Sequence, residues 1–285
     1  MERGWSNWTR LNKTAASVGA ETAALESTRT HDAISSIGAF MSVDAYIPVE
    51  FCTSLDNSQI STETEVAMGS LSNYDIFHTR YYSGVTYAGD FEMPVINGTD
   101  QIPERIVRFS DSKSRKRNDP SAWVVPYEYD VKLRPFWNNP FKYMDRLLEH
   151  PGIVSWDFSM YRNMPFALQY WNCFRGRLLG SLYERCGGVC IPNIRPTDRR
   201  SYIYAFDGIP TEATIAMGTA GALNTADDRA IFKAYVDESV SRLRPKNIIV
   251  YGIAPADIFD SALDAGVNVK SYPTQTALAH QTEAA

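Results

Sequence analysis

"GIVSWDFSMYRNMP" (152–165) begins as a buried strand and then places Asp157 between Trp156 and Phe158. A strand buried on both faces reads as a continuous apolar run, as parallel strands under helices do. A carboxylate at the end of such a run marks the point where the strand leaves the core. Behind it, Pro165 suits a first helical turn. Ala167, Trp171, Phe174, Leu178 and Leu182 then recur at helical spacing and predict a helix over 165–185 with these residues facing in. Gln169, Asn172 and Arg177 fall off that stripe, and Arg175 lies on its shoulder.

The same strand-then-helix texture runs from about 105 to the end. Short β-rich runs occupy 105–109, 123–130, 152–158, 188–195, 213–219, 247–252 and 267–272. Helical patterns occupy 140–149, 165–185, 226–243 and 256–265. In the third of these helices Ile231, Tyr235, Val236 and Leu243 should face in. Thr225 is its expected N-cap, Asp227 and Asp228 sit in the first turn, and Pro245 ends it. Alternating strands and helices predict an α/β fold with a mostly parallel sheet. Five or more such units suggest a complete or partial (β/α) barrel, with a doubly wound open sheet as the alternative.

Residues 1–100 differ. They carry 5 Lys and Arg against 13 Asp and Glu, a net charge of −8, whereas 101–285 carry 23 against 20, or +3. This gives a division into an acidic, weakly patterned region (1–100) and an α/β domain (101–285). Residues 1–65, rich in Ser, Thr and Ala, are expected to pack loosely or stay partly disordered, and 66–100 to form extended segments or hairpins. Residues 1–60 should be dispensable for folding of the rest.

Composition narrows the function classes. At 285 residues, 44% hydrophobic and 21% charged, the chain is ordinary globular protein. It has no apolar run near ~20 residues, so no transmembrane helix is expected. The start, "MERGWSNWTR", has no apolar signal-peptide core, which suggests the cytoplasm and reduced thiols at Cys52, Cys173, Cys186 and Cys190. Cys186 and Cys190 are the only close pair, and no second pair or nearby His completes a metal site. No motif assigns a cofactor or an oligomeric state. Nucleophile elbows and paired Cys and His are absent, so carboxylate chemistry is more plausible than histidine or cysteine chemistry.

In a parallel sheet every strand C-terminus lies on one edge, where ligands of α/β folds bind. The runs end in Asp130, Asp157, Asn193 with Arg195, and Tyr251. Asp157 and Asp130 are the candidate catalytic pair. Arg175, Asn193, Arg195, Asn172, Tyr251 and Asp207 are candidate ligand contacts, although the Asp-Gly pair at 207–208 also reads as a turn. Lys113, Arg115, Lys116 and Arg117 follow the first run. They should rise from the same edge, where they can meet the phosphates of a nucleotide or nucleic acid. Aromatic side chains, dense over 123–183, add surfaces on which bases stack.

The segments "WNNP" (137–140), "DFSMYRNMP" (157–165), Asn172 with Arg175 and Arg177, "IPNIR" (191–195), "FDGI" (206–209) and "IVYG" (249–252) occur in a fixed order. Together they resemble domain of unknown function 4417, a family carried by bacteriophages, plasmids and integrative elements. The resemblance covers roughly 105–272 and implies a phage or mobile-element origin. The chain departs from the family pattern at Trp156, Asn163 and Pro196, and an acidic pair before the first segment appears here as Tyr129-Asp130. Three functions remain open: an enzyme acting on a nucleotide or nucleic acid, a non-catalytic nucleic-acid or protein-binding module, and a virion-associated structural protein.

Overall fold

The computed structural model describes residues 77–278. The expectations for residues 1–65, and for the first part of 66–100, lie outside the described residues. A hairpin of β1 (Tyr87–Ala88) and antiparallel β2 (Met93–Pro94) opens the fold. Seven parallel strands follow in chain order: β3 (Ile106–Arg108), β4 (Trp123–Val125), β5 (Ile153–Val154), β6 (Cys190–Ile191), β7 (Thr214–Gly218), β8 (Asn247–Tyr251) and β9 (Asn268–Tyr272). Strands β3–β6 form one sheet and β7–β9 another, and a single parallel bridge, Asn193 to Ala216, connects them. Helices α1 (Phe109–Ser112), α2 (Asp130–Asn138), α3 (Phe141–Leu148), α4 (Phe166–Arg185), α5 (Tyr202–Ala205), α6 (Ala226–Leu243) and α7 (Asp260–Asp264) lie between the strands.

The α/β class with a parallel sheet is therefore what forms, but the complete barrel is not. No backbone ladder joins β9 to β3 among the described residues. Instead, the Lys270 ammonium and the Tyr272 hydroxyl both donate to the Pro103 carbonyl, just ahead of β3. Pro103 has no N–H to return, so side chains rather than a ladder hold that edge.

Alternate strand positions serve different clusters, as a period of two demands. Val124, Ile153 and Cys190 pack with Leu133, Phe136, Leu178 and Leu182 under helices α2–α4. Ile215, Met217, Ile248 and Val250 pack with Phe232, Tyr235 and Val236 of α6. The intervening residues Trp123, Val125, Val154, Ile191, Ala216 and Ile249 gather in a third cluster that spans both sheets. Tyr81, Met93 and Ile96 are fully buried in the same framework. A chain beginning at Met68 retains all of these residues. It is expected to be soluble and to melt in one cooperative step; aggregation of that chain beside a soluble full-length protein would make the N-terminal part integral to the core.

Helix α6 starts as its sequence requires. Thr225 accepts from the Asp228 N–H, and Asp228 returns the bond as a capping box. Helix α4 departs from its apolar stripe. Leu178 and Leu182 are buried and Trp171 and Phe174 partly so, but Ala167 is exposed, while Gln169, Asn172 and Arg177 are buried. The reason is close backbone approach: a Cβ at Gly176 would stand 2.5 Å from the Trp156 carbonyl oxygen, and one at Gly180 would stand 3.0 Å from Ser155. This small-residue face seats α4 on the strand that carries Asp157, and the polar side chains beside it are drawn inside.

Candidate functional site

Strand β5 stops at Val154, and Ser155 extends the ladder by one bond, to the Ile191 carbonyl. Beyond it, the Asn193 N–H donates to Ser155 Oγ at 2.8 Å, a side chain standing where a backbone carbonyl would. This brings the end of β6 against Asp157. The Asp157 carboxylate is 6% exposed and both oxygens are engaged. Oδ1 accepts from Asn193 Nδ2 at 2.9 Å, and Oδ2 accepts from Arg195 Nη1 at 2.5 Å. The carboxylate pushes the Arg195 guanidinium pKa above its ordinary value. The Arg195 side chain is 38% exposed, so the pair meets solvent from the arginine side. Asn193 Oδ1 in turn accepts from the Tyr127 hydroxyl at 2.9 Å. Tyr127 stacks on Tyr251 with centroids 4.8 Å apart and planes 10° from parallel. Gly218 makes room for it, because a Cβ there would lie 2.9 Å from the Tyr127 ring.

A small cavity adjoins this network, of about 20 Å³, with Asp157, Asn193, Arg195, Asn172 and Arg177 in its lining. That is room for roughly one water molecule. Arg177 is 3% exposed and donates to the backbone carbonyls of Asp207 at 2.9 Å and Ala205 at 3.1 Å. Burial holds its pKa below the usual arginine value.

Asp130, Asn172 and Arg175 gather around segment 157–160. Asp130 does not end a strand: β4 stops at Val125 before Pro126, which cannot donate to a ladder, and Asp130 opens α2. Its Oδ1 accepts from the Ser159 N–H at 2.9 Å and the Ser159 hydroxyl at 2.8 Å. Asn172 Nδ2 donates to the Ser159 carbonyl at 2.6 Å. Arg175 stands 3.7 Å from Asp130 and 3.6 Å above the Phe158 ring, and burial lowers its pKa. These residues hold segment 157–160, and Asn172 does so while lining the cavity beside Asp157. Tyr251 meets the Asp157 network only through Tyr127. Asp207 lies against the β1–β2 hairpin, where a Cβ at Gly89 would overlap its carboxylate, and burial raises its pKa.

Strand β3 runs parallel to β4, so the loop carrying Lys113 leaves from the same sheet edge as Asp157. Lys113 Nζ sits 4.3 Å from the Phe109 ring centroid and 5.6 Å from that of Tyr143, and its carbonyl accepts from Arg146 at 2.8 Å. Burial lowers its pKa, Glu128 works against that, and Lys132 adds to it. Arg117 Nε lies 3.1 Å from Asp111, while Arg115 and Lys116 are exposed and make no ion pair with the described residues. Asp111 also binds Arg108, with Nε and Nη2 both at 2.7 Å. Glu128 accepts from the Ser110 N–H at 2.8 Å. The sequence reading missed Tyr127, Ser155, Arg108, Asp111 and Glu128. Their one signal is position, at the end of a strand or within a few residues after it.

Among the described residues no three His, Cys, Asp or Glu side chains are grouped to hold a metal ion, and no helix is long and apolar enough to cross a membrane. Cys173 and Cys190 are free thiols.

Parallel strands that deliver a carboxylate, an amide and a guanidinium to one edge define an α/β protein with a polar strand-end cluster. The chain belongs to the family described as Domain of unknown function (DUF4417), which matches residues 85–272 and so takes in the β1–β2 hairpin as well as the segments read from the sequence. Its relatives are phage proteins. Gene 1 protein of Mycobacterium phage L5 is 26% identical over 186 residues, 65% of this chain and 79% of that protein. Gene 1 protein of Mycobacterium phage D29 is 26% identical over 163 residues, 57% of this chain and 60% of that protein. No solved structure matches the chain.

Proposed function

We propose that this phage-associated domain binds nucleic acid through the basic loop at the strand C-terminal edge, without chemistry at Asp157. The observation that carries this reading is the loop itself. Lys113 and Arg117 are anchored at its two ends, and Arg115 and Lys116 project between them, exposed and unpaired among the described residues. Cations held that way meet backbone phosphates and release condensed counterions.

The test is binding of fluorescent oligonucleotides to the full chain over a range of salt. Replacing Arg115 and Lys116 by Ala leaves the anchors in place. It is expected to weaken binding and to flatten the slope of log K against log salt by about 0.7 to 0.9 per lost contact. Extending the change to Lys113 and Arg117 should flatten it further. The melting temperature of the double variant should stay with the parent's, because exposed charges contribute little to folding. Unchanged affinity and slope, or a parent that binds no polyanion, would remove this reading and leave an assembly role as the first choice.

Carboxylate chemistry at Asp157 is the second reading, favoured by the convergence of Asp157, Asn193 and Arg195 on one edge. Against it stand both oxygens already bonded and a cavity suited to one water. A melting shift with a nucleotide that disappears in Asp157→Asn would favour it.

A further inference from the structure

Tyr129 is 85% exposed, and its ring makes no aromatic contact or side-chain hydrogen bond with the described residues. Exposed aromatic rings usually hang from mobile loops. This one does not. On one side, Glu128 is fixed by the Ser110 N–H and hydroxyl. On the other, Asp130 is fixed by the Ser159 N–H and hydroxyl. The Tyr129 carbonyl accepts from the Lys132 N–H at 2.7 Å, at the first turn of α2. Two locked neighbours and a helix start hold the backbone, so only the two side-chain torsions of the ring stay free. Val131, beside it, is also exposed.

The two flanking carboxylates, Glu128 and Asp130, are already engaged by Ser110 and Ser159, and cations lie on the neighbouring elements. Ser110 belongs to α1, the helix that runs into Lys113 and the basic loop. Lys132 is exposed on the next element and lies near enough to Lys113 to affect it electrostatically. A rigid, water-exposed ring beside a track of cations is the arrangement that receives unpaired bases, because every base has a stacking face and a duplex hides it.

We infer that the nucleic acid taken at this edge is single-stranded, and that Tyr129 is the platform on which one of its bases stacks while Lys113, Arg115, Lys116 and Lys132 follow the phosphates. This rests on the nucleic-acid reading above and names its substrate class. Stacking removes water from one face of the base and one face of the ring, and the pinned backbone of Tyr129 leaves little conformational entropy to be lost on binding.

The experiment compares a 20-nucleotide oligothymidine with a 20-base-pair duplex of mixed sequence, by fluorescence anisotropy on the full chain at matched salt. The single strand is expected to bind more tightly. Tyr129→Ala should weaken that binding by about 5- to 150-fold, the span measured for one base–aromatic stack. The salt slope should not change, because no charge is removed, and Tyr129→Phe should restore the affinity. Tyr129→Ala should melt with the parent. Duplex bound as tightly as the single strand, or a silent Tyr129→Ala, overturns the inference; Tyr129 is then a protein-docking residue. If the Arg115, Lys116 variant still flattens the salt slope in that case, the nucleic-acid reading survives alone. A parent that binds neither probe overturns both.

Discussion

Above about pH 10 the protein is expected to unfold in one cooperative step, driven by tyrosines that cannot ionise in place. Burial pushes the phenols of Tyr127, Tyr183 and Tyr235 well up from the ordinary value. The Tyr183 hydroxyl donates to the Leu147 carbonyl at 3.0 Å, and that of Tyr127 donates to Asn193. In the unfolded chain these groups lose their protons near pH ~10. In the folded chain they keep them. The unfolded state therefore binds fewer protons at high pH, and stability falls as pH rises through that window. Each such group contributes about 1.4 kcal/mol per pH unit, so three lower stability by about 4 kcal/mol per unit. Tyr272, which burial pushes up to about 12, acts in the same direction. Against a total of about 5–15 kcal/mol, unfolding by about pH 12 is the expected result. The check is tyrosinate absorbance at 295 nm recorded beside near-ultraviolet circular dichroism. The buried phenols should ionise only as the dichroism collapses, and Tyr235→Phe should make the fall in stability shallower. Ordinary titration of every tyrosine near pH ~10 with the dichroism intact would mean that these rings are not buried as described.

What could be read from residues alone follows the kind of interaction each element depends on. Strands such as "NIIVYG" and "ATIAMGT" stand out because buried parallel strands need little besides apolar, β-branched residues. Helix α6 is legible because its capping box and its proline stop are local. Helix α2 is not. It carries Pro135 within its span and buries only Leu133, Phe136 and Trp137, so its pattern is short and interrupted. The reading instead extended the preceding strand to Asp130. The buried face of α4 is broader than its apolar stripe for a different reason. Apolar periodicity cannot register a polar side chain that finds its partners elsewhere in the fold. Gln169 accepts from the Thr197 hydroxyl, and Arg177 donates to carbonyls some thirty residues away in sequence. At the site the asymmetry is the same. Asp157, Asn193 and Arg195 could be found because each ends an apolar run. Tyr127 and Ser155, which hold them, could not, since a hydroxyl after a strand is common and its partner lies on another strand. The β9 edge meets Pro103, just ahead of the first strand run, through side chains alone, and a strand pattern does not register that contact.

Removing Arg195 is expected to destabilise the fold far more than neutralising Asp157 does, and that asymmetry separates a structural pair from a working acid. In Arg195→Ala the Asp157 carboxylate stays buried with Asn193 as its one remaining direct side-chain partner. Breaking a buried pair from one side costs about 3–5 kcal/mol. The low end applies here, about 3 kcal/mol, because the Arg195 side chain is over a third exposed and water screens the pair from that side. In Asp157→Asn the charge left behind is that same guanidinium, over a third exposed, which solvent reaches; the amide offers its oxygen to it, while its NH2 faces the Asn193 donor, which loses its acceptor. The cost should be that of one weakened and one lost hydrogen bond, about 1–2 kcal/mol. In the Asp157→Asn background Arg195→Ala has no carboxylate to orphan, so it should add less than about 1 kcal/mol. A double-mutant cycle by urea unfolding measures this coupling directly. A coupling of about 2 kcal/mol or more assigns Asp157 to holding β5 and β6 together at their ends, and leaves binding to the basic loop and Tyr129. Additive costs, or an Arg195→Ala variant as stable as the parent, would mean that the fold does not require the pair. A buried carboxylate that the fold does not require, at the edge where α/β proteins hold their ligands, would then raise chemistry at Asp157 from the second reading to the first.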